Sequence, residues 1–217
     1  MITLPMVMEI FYRTGKTRDT RVHPFLTMQF YHSEKEWRDF IEYVAAPYNP
    51  KVDTPKTKPY AFRRTQHRGG ILTPWTEEFP SIIVEYGNET WHNGVGGYGW
   101  EGYGRGVAWA PHEGREMGHM SRYFMKQMTK SPYWKSQKLS SKIKFNLGGF
   151  YNGNVEADGT VSGYAENARE LNPLISQIGH ATYVGPKWET GDAPLKEYND
   201  EGVLRTLTAY VADSREL

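Results

Sequence analysis

The chain has 217 residues, 26 of them basic and 25 acidic, for a formal net charge of +1. That length allows one sizeable core or two small ones, the charge balance offers no argument for nucleic acid or an acidic membrane as partner, and no run approaches the ~18 apolar residues of a membrane span. Cysteine is absent, which excludes disulfides and thiolate metal sites. The opening stretch "MITLPMVMEIF" has neither a basic n-region nor a small-residue cleavage site, so no signal peptide is expected. Aromatic content is 14%, with 7 Trp and 15 Tyr, many in Gly/Asn-rich stretches. Loop aromatics beside polar groups suit stacking on sugar rings and equally suit covering a core edge.

In chain order, "MVMEIFY" (6–12) and "FLTMQF" (25–30) are expected as strands. "SEKEWRDFIEYVAA" (33–46) is expected as a helix. Ser33 with Glu36 makes a capping box, and Trp37, Phe40, Ile41 and Val44 share one face. A polar, proline-rich stretch with no strong period follows (47–80). "SIIVEYG" (81–87) has the form of a strand in a buried parallel sheet. A glycine-rich loop covers 93–106. "GREMGHMSRYFMKQM" (114–128) is expected as a helix, with Met117, Met120, Phe124 and Met128 as a core stripe. "KIKFNLG" (142–148) is a strand and "YNGNVEADGT" a hairpin-like turn region. A helix is expected over 163–178, kinked at Pro173. "HATYVG" (180–185) is a strand and 199–214 a helix.

Alternating strands and helices predict an α/β fold with a parallel sheet. The loops that follow strands are the long ones, and the C-terminal strand ends are where both (β/α)8 barrels and doubly wound sheets bind ligands. The segment "IIVEYGNETW" then resembles the fourth-strand motif of the (β/α)8 retaining glycosidases. It is most similar to the α-L-arabinofuranosidase and β-xylosidase-like branches. The resemblance covers roughly residues 25–195, with only Asn88-Glu89 motif-specific. It implies a barrel of TIM type, here partial (about strands two to six), as one catalytic domain over 1–217. It implies Glu89 as general acid/base and Asn88 as a contact to the sugar 2-hydroxyl. Trp91 and Trp188 become sugar-stacking candidates, and His92 a group that orients Glu89 or a hydroxyl. Tyr183, Tyr151 and Asn152 complete the candidate substrate contacts. An extracellular or periplasmic location follows from the same resemblance.

Retaining hydrolysis needs a second carboxylate about 5 Å from the first. In the resembled clan that nucleophile ends the seventh strand, and Glu189, Glu197, Glu201 and Glu216 fall in expected loop or helix. A full barrel takes about 250 residues. The chain therefore reads as a piece of a larger barrel, with the nucleophile outside it. Its expected partners are a carbohydrate and either the remainder of the barrel or another copy to cover exposed strand edges, with no nucleic acid, membrane, metal or cofactor. The alternative is a non-catalytic carbohydrate-binding or structural module derived from such a barrel.

Other patterns carry less. Asn88-Glu89-Thr90 also matches an N-glycosylation pattern. The glycines of "GVGGYGWEGYGRG" lack a P-loop Lys-Ser/Thr, and His112 and His119 lack zincin spacing. "RRTQHR" (63–68) reads as a solvated basic run, although in the resembled family this segment can reach the rim, which makes Arg63 and Arg64 secondary substrate candidates.

Overall fold

Leu26, Val84 and Phe145 stand side by side on three adjacent strands in the computed structural model, each under 8% exposed. The structure describes residues 3–28, 32–87, 115–150, 154–155, 161–162 and 164–181. Almost all belong to one compact unit, Met1–Gly149 with Gly153–Gly179. The second unit, Phe150–Asn152 with His180–Leu217, is described only at Phe150, His180 and Ala181.

The sheet contains β1 (Phe25–Met28), β2 (Ile82–Tyr86), β3 (Ile143–Phe150) and, after the short antiparallel ribbon β4 (Asn154–Val155) and β5 (Val161–Ser162), β6 (Ile175–Ala181). Its order is β1-β2-β3-β6 and it is parallel. The crossovers carry α2 (Glu34–Ala45), α3 (Pro59–His67) and α4 (Trp75–Glu78), then α5 (Arg115–Thr129) and α6 (Pro132–Ser136), then α7 (Tyr164–Leu171). α2 packs on α5, and α5 on α7. Successive strands are thus spatial neighbours and successive helices touch, as in a sheet wound in one direction.

Alternation along each strand gives the sheet two unlike faces. Leu26, Ile82, Val84, Tyr86, Ile143, Phe145 and Leu147 share a core with Trp37, Phe40, Ile41 and Val44 of α2 and with Met117, Met125 and Met128 of α5. Tyr86 lies 6.0 Å from Trp37 and stacks on Phe124 at 5.5 Å, ring centre to ring centre. The Met stripe of α5 is core, as its spacing predicts. The other face carries Phe25, Thr27, Ile83, Glu85, Lys144 and Asn146.

α2 forms where its capping box predicts. Ser33 Oγ accepts from the Glu36 N–H at 3.3 Å, and the Ser33 N–H donates to Glu36 Oε2 at 2.7 Å. Four expectations are corrected. Residues 6–12 are helical, within α1 (Leu4–Tyr12), not a strand. Pro5 opens the helix, and Leu4, Val7, Met8, Phe11 and Tyr12 pack on the core at helical spacing. The stretch 47–80 holds two helices, α3 and α4. The helix expected over 163–178 ends at Leu171, because Pro173 disfavours helical geometry at Asn172 and supplies no N–H. The last described strand accordingly starts at Ile175 instead of His180. The helix expected over 199–214 lies outside the described residues.

Candidate functional site

Ligands of parallel α/β sheets bind beyond the C-terminal ends of the strands. At that end β2 stops at Tyr86, and Gly87 follows with φ 73°, a left-handed conformation that glycine adopts without a Cβ penalty. The Gly87 N–H donates to Met28 O on β1 at 2.9 Å. Asn88 and Glu89 are the next residues in sequence. These two, together with Trp91, His92, Tyr151, Asn152, Tyr183 and Trp188, lie outside the described residues.

Directly below this end is a polar layer that the sequence reading did not single out. Thr27, Glu85 and Asn146 occupy matching positions on β1, β2 and β3. Matching register puts all three side chains on one face of the sheet. Thr27 Oγ1 donates to Glu85 Oε2 at 2.9 Å, and Asn146 Nδ2 donates to Glu85 Oε1 at 3.3 Å. Glu85 is 9% exposed and Asn146 3%. On β6, Gly179 leaves the space that Asn146 fills, since a Cβ there would come within 3.0 Å of Asn146 Nδ2. The layer thus runs through all four described strands of the sheet.

Burial pushes the Glu85 carboxyl above its ordinary value, and the bonds from Thr27 and Asn146 pull it partly back. A carboxyl in such a place holds a proton more readily than one in water. With both oxygens already engaged, Glu85 is built to hold neighbouring groups in place more than to attack a substrate. The signal for it was present in "IIVEY": a charged residue inside a run expected to be buried on both faces.

The opposite end of the sheet is tied by structural contacts. Arg21 and Arg68 both bond Glu78, at 2.8 and 2.9 Å. The Arg68 guanidinium lies 3.9 Å over the Trp75 ring. His23 Nδ1 and Ser81 Oγ, just ahead of β1 and β2, are 2.8 Å apart. Arg64, a secondary candidate for substrate contact, is corrected to a buried structural role. It is 0% exposed and donates to Tyr43 O at 2.9 Å and Ala46 O at 2.7 Å at the end of α2. Arg63 remains exposed. It borders a cleft of about 700 Å³ between α1, β1, α2 and α3. The floor of that cleft is apolar, with Leu26 and Phe40. Of its two acids, Asp39 is held by Lys35 at 2.6 Å and Glu36 accepts the Ser33 N–H at 2.7 Å.

Among the described residues, no group of three or more His, Asp or Glu could hold a metal ion, and no helix is long and apolar enough to cross a membrane. Fold and polar layer together define an α/β protein with a parallel sheet and a buried carboxylate beneath its C-terminal edge. No protein-family description, curated protein or solved structure matches the chain.

Proposed function

We propose that the chain is the catalytic-type domain of a glycoside hydrolase acting on poly- or oligosaccharide, built as part of a (β/α) barrel. Glu89 is the general acid/base and Asn88 a contact to a sugar hydroxyl. The observation that carries this reading is the setting of β2. It is an inner strand of a parallel sheet with strands in chain order, it holds a buried carboxyl one layer down, and it turns at Gly87 just before Asn88-Glu89 in sequence. Chain-ordered strands with touching crossover helices are what a barrel segment requires. Glu85 supports the strand end from beneath, and the second carboxylate of a retaining reaction is a different residue.

The test is turnover of aryl α-L-arabinofuranosides, aryl β-xylosides and the corresponding oligosaccharides. Glu89→Gln is expected to lower oligosaccharide turnover ~10²–10⁴-fold, the usual worth of a general acid/base. A wild-type protein that holds this domain together with the rest of its barrel and turns over none of these substrates removes the proposal. One observation favours a second reading, a carbohydrate-binding module: both oxygens of Glu85, the carboxyl on β2, are engaged. That reading predicts sugar binding without turnover, unchanged in Glu89→Gln.

A further inference from the structure

From Met117 to Val155 the sequence contains no Asp or Glu. The same stretch holds Arg122 and Lys126, Lys130, Lys135, Lys138, Lys142 and Lys144. Seven of the 26 basic residues and none of the 25 acidic ones lie there, so the rest of the chain is net acidic. A near-zero total charge conceals this asymmetry.

Four of these lysines, Lys126, Lys130, Lys135 and Lys138, lie on or beside packed neighbouring elements, whereas Lys144 is on the opposite face of the sheet. α5 ends at Thr129, Ser131 caps α6, and a 3-10 turn (Leu139–Ser141) leads into β3. α6 packs against both α5 and that turn. Lys126, Lys130, Lys135 and Lys138 are exposed. Lys126 and Lys130 sit one helical turn apart, about 6 Å between their Cβ atoms. Half-buried Tyr133 and Trp134 lie between the two lysine pairs in sequence, with Trp134 stacked on Phe145 at 5.5 Å.

The bordering acids among the described residues are already engaged. Glu34 pairs with Tyr123 and Arg38, and its carboxyl is held below the usual range chiefly by Tyr123, with Lys130 contributing. Glu77 pairs with Lys142, Asp53 with Lys58 at 2.9 Å, and Glu42 accepts the Tyr60 N–H at 2.8 Å. Lys126, Lys135, Lys138 and Lys144 have no ion-pair partner among the described residues.

We infer that the surface of α5, α6 and the following turn binds an anionic polysaccharide, a sugar chain bearing carboxylate or sulfate groups. Four exposed lysines on neighbouring elements, flanking two half-buried aromatics in sequence, match spaced single negative charges on sugar units. The exposed cations are all lysines. Arg122, the guanidinium of the stretch, is turned to Leu171 O, so the planar fork that reads phosphate or base edges is not presented. The preference for a sugar chain rests in part on the carbohydrate reading above, but its test reads binding and not hydrolysis, so either can fail alone.

The experiment is calorimetric titration of the full chain with polygalacturonate, heparin, a neutral galactan and a duplex DNA oligomer. Binding to polygalacturonate, to heparin or to both is expected, weakening as salt rises, with no binding of the galactan by this surface. Which of the two charged polymers binds identifies carboxylate or sulfate as the recognised group. The variant K126Q/K130Q/K135Q/K138Q is expected to lose about tenfold or more in affinity and to show a shallower salt dependence, because fewer counterions are released. Because all four side chains are exposed, its thermal unfolding should match wild type. Should it fail to fold, K126Q/K130Q and K135Q/K138Q are measured separately, each with an expected loss of several-fold. Absence of binding to both charged polymers, equal binding by the variants, or tighter binding of DNA each overturns the inference.

Discussion

Asn146 Nδ2 donates to Glu85 Oε1 at 3.3 Å, so a buried amide on β3 holds a buried carboxyl on β2. Thr27 holds the other oxygen from β1. The carboxyl is confined between two strands, and this bracket lies two residues before the turn at Gly87. A polar group in this position costs desolvation unless its bonds are made. Its presence in an otherwise apolar strand points to a role at the strand end, where it fixes the geometry of whatever follows.

The first prediction concerns pH. The Glu85 carboxyl lies above its ordinary value of 4.5 in the folded protein, because of burial. At low pH it is protonated in both folded and unfolded chains and contributes no difference. As pH rises past about 4.5 the unfolded chain ionises first, and stability is lost until the folded carboxyl has also ionised. Glu85→Gln mimics the protonated form, and its amide can donate to Thr27 Oγ1 while its oxygen accepts from Asn146. Urea unfolding from about pH 4 to about pH 8 should show wild type losing ground to Glu85→Gln as pH rises, by ~1.4 kcal/mol for each unit of displacement. Parallel stability curves would refute the assignment.

Gly179 offers a packing test of the same layer. A Cβ at this position would approach Asn146 Nδ2 to 3.0 Å and Oδ1 to 3.3 Å. Gly179→Ala should therefore displace the Asn146 amide and weaken its bond to Glu85, at a cost of ~1 kcal/mol. In an Asn146→Ala background the added methyl has nothing to displace. A double-mutant cycle should give a coupling of ~0.5 kcal/mol or more. Strict additivity would show that the two residues act independently.

Arg64 yields a third prediction, on stability alone. Burial lowers its pKa to about 10, which leaves it cationic at neutral pH, and two carbonyls at the end of α2 depend on it. Arg64→Met keeps apolar volume but leaves Tyr43 O and Ala46 O unpaired. The expected loss is ~3 kcal/mol by urea unfolding. Arg64→Lys should recover only part of it, because one ammonium cannot reproduce the planar fork. A loss in Arg64→Met within ~0.5 kcal/mol of zero would place Arg64 outside the helix-capping role.

Part of this architecture is legible in the residues themselves. The capping box at Ser33 and the apolar stripe of α2 are local signals, and so are the short apolar runs of β2 and β3. The spacing 4, 7, 8, 11, 12 of α1 is legible as well, but it is lost in a window that starts at Met6, where β-branched and aromatic residues suggest a strand. α3 escapes because Arg64 and Thr65 occupy its buried face, which breaks the hydrophobic period. At the candidate site, Glu85 can be noticed as a charge in an apolar strand. Its partners cannot, because pairing Thr27 and Asn146 with it requires the strand register, which depends on how the helices seat the sheet.

The last prediction tests that seating at Gly118. α5 and α7 approach so closely that a Cβ on Gly118 would lie 2.5 Å from Ala168 O and 3.0 Å from Ala168 Cα. The obstacle is helix backbone, which cannot rotate aside. Gly118→Ala should gain up to ~1 kcal/mol of helix propensity and lose more by forcing the helices apart. That movement strains the bond from Asn172 Nδ2 to Ser121 Oγ, 2.9 Å long and fully buried, and opens the packing around Met125 and Ile175. The expected net loss is ~1–3 kcal/mol, read as a lower thermal midpoint. Ala168→Gly should not restore stability, since the clash is with the carbonyl and Cα and not with the alanine methyl. An unchanged midpoint in Gly118→Ala would mean that α5 and α7 pack less closely than this contact requires.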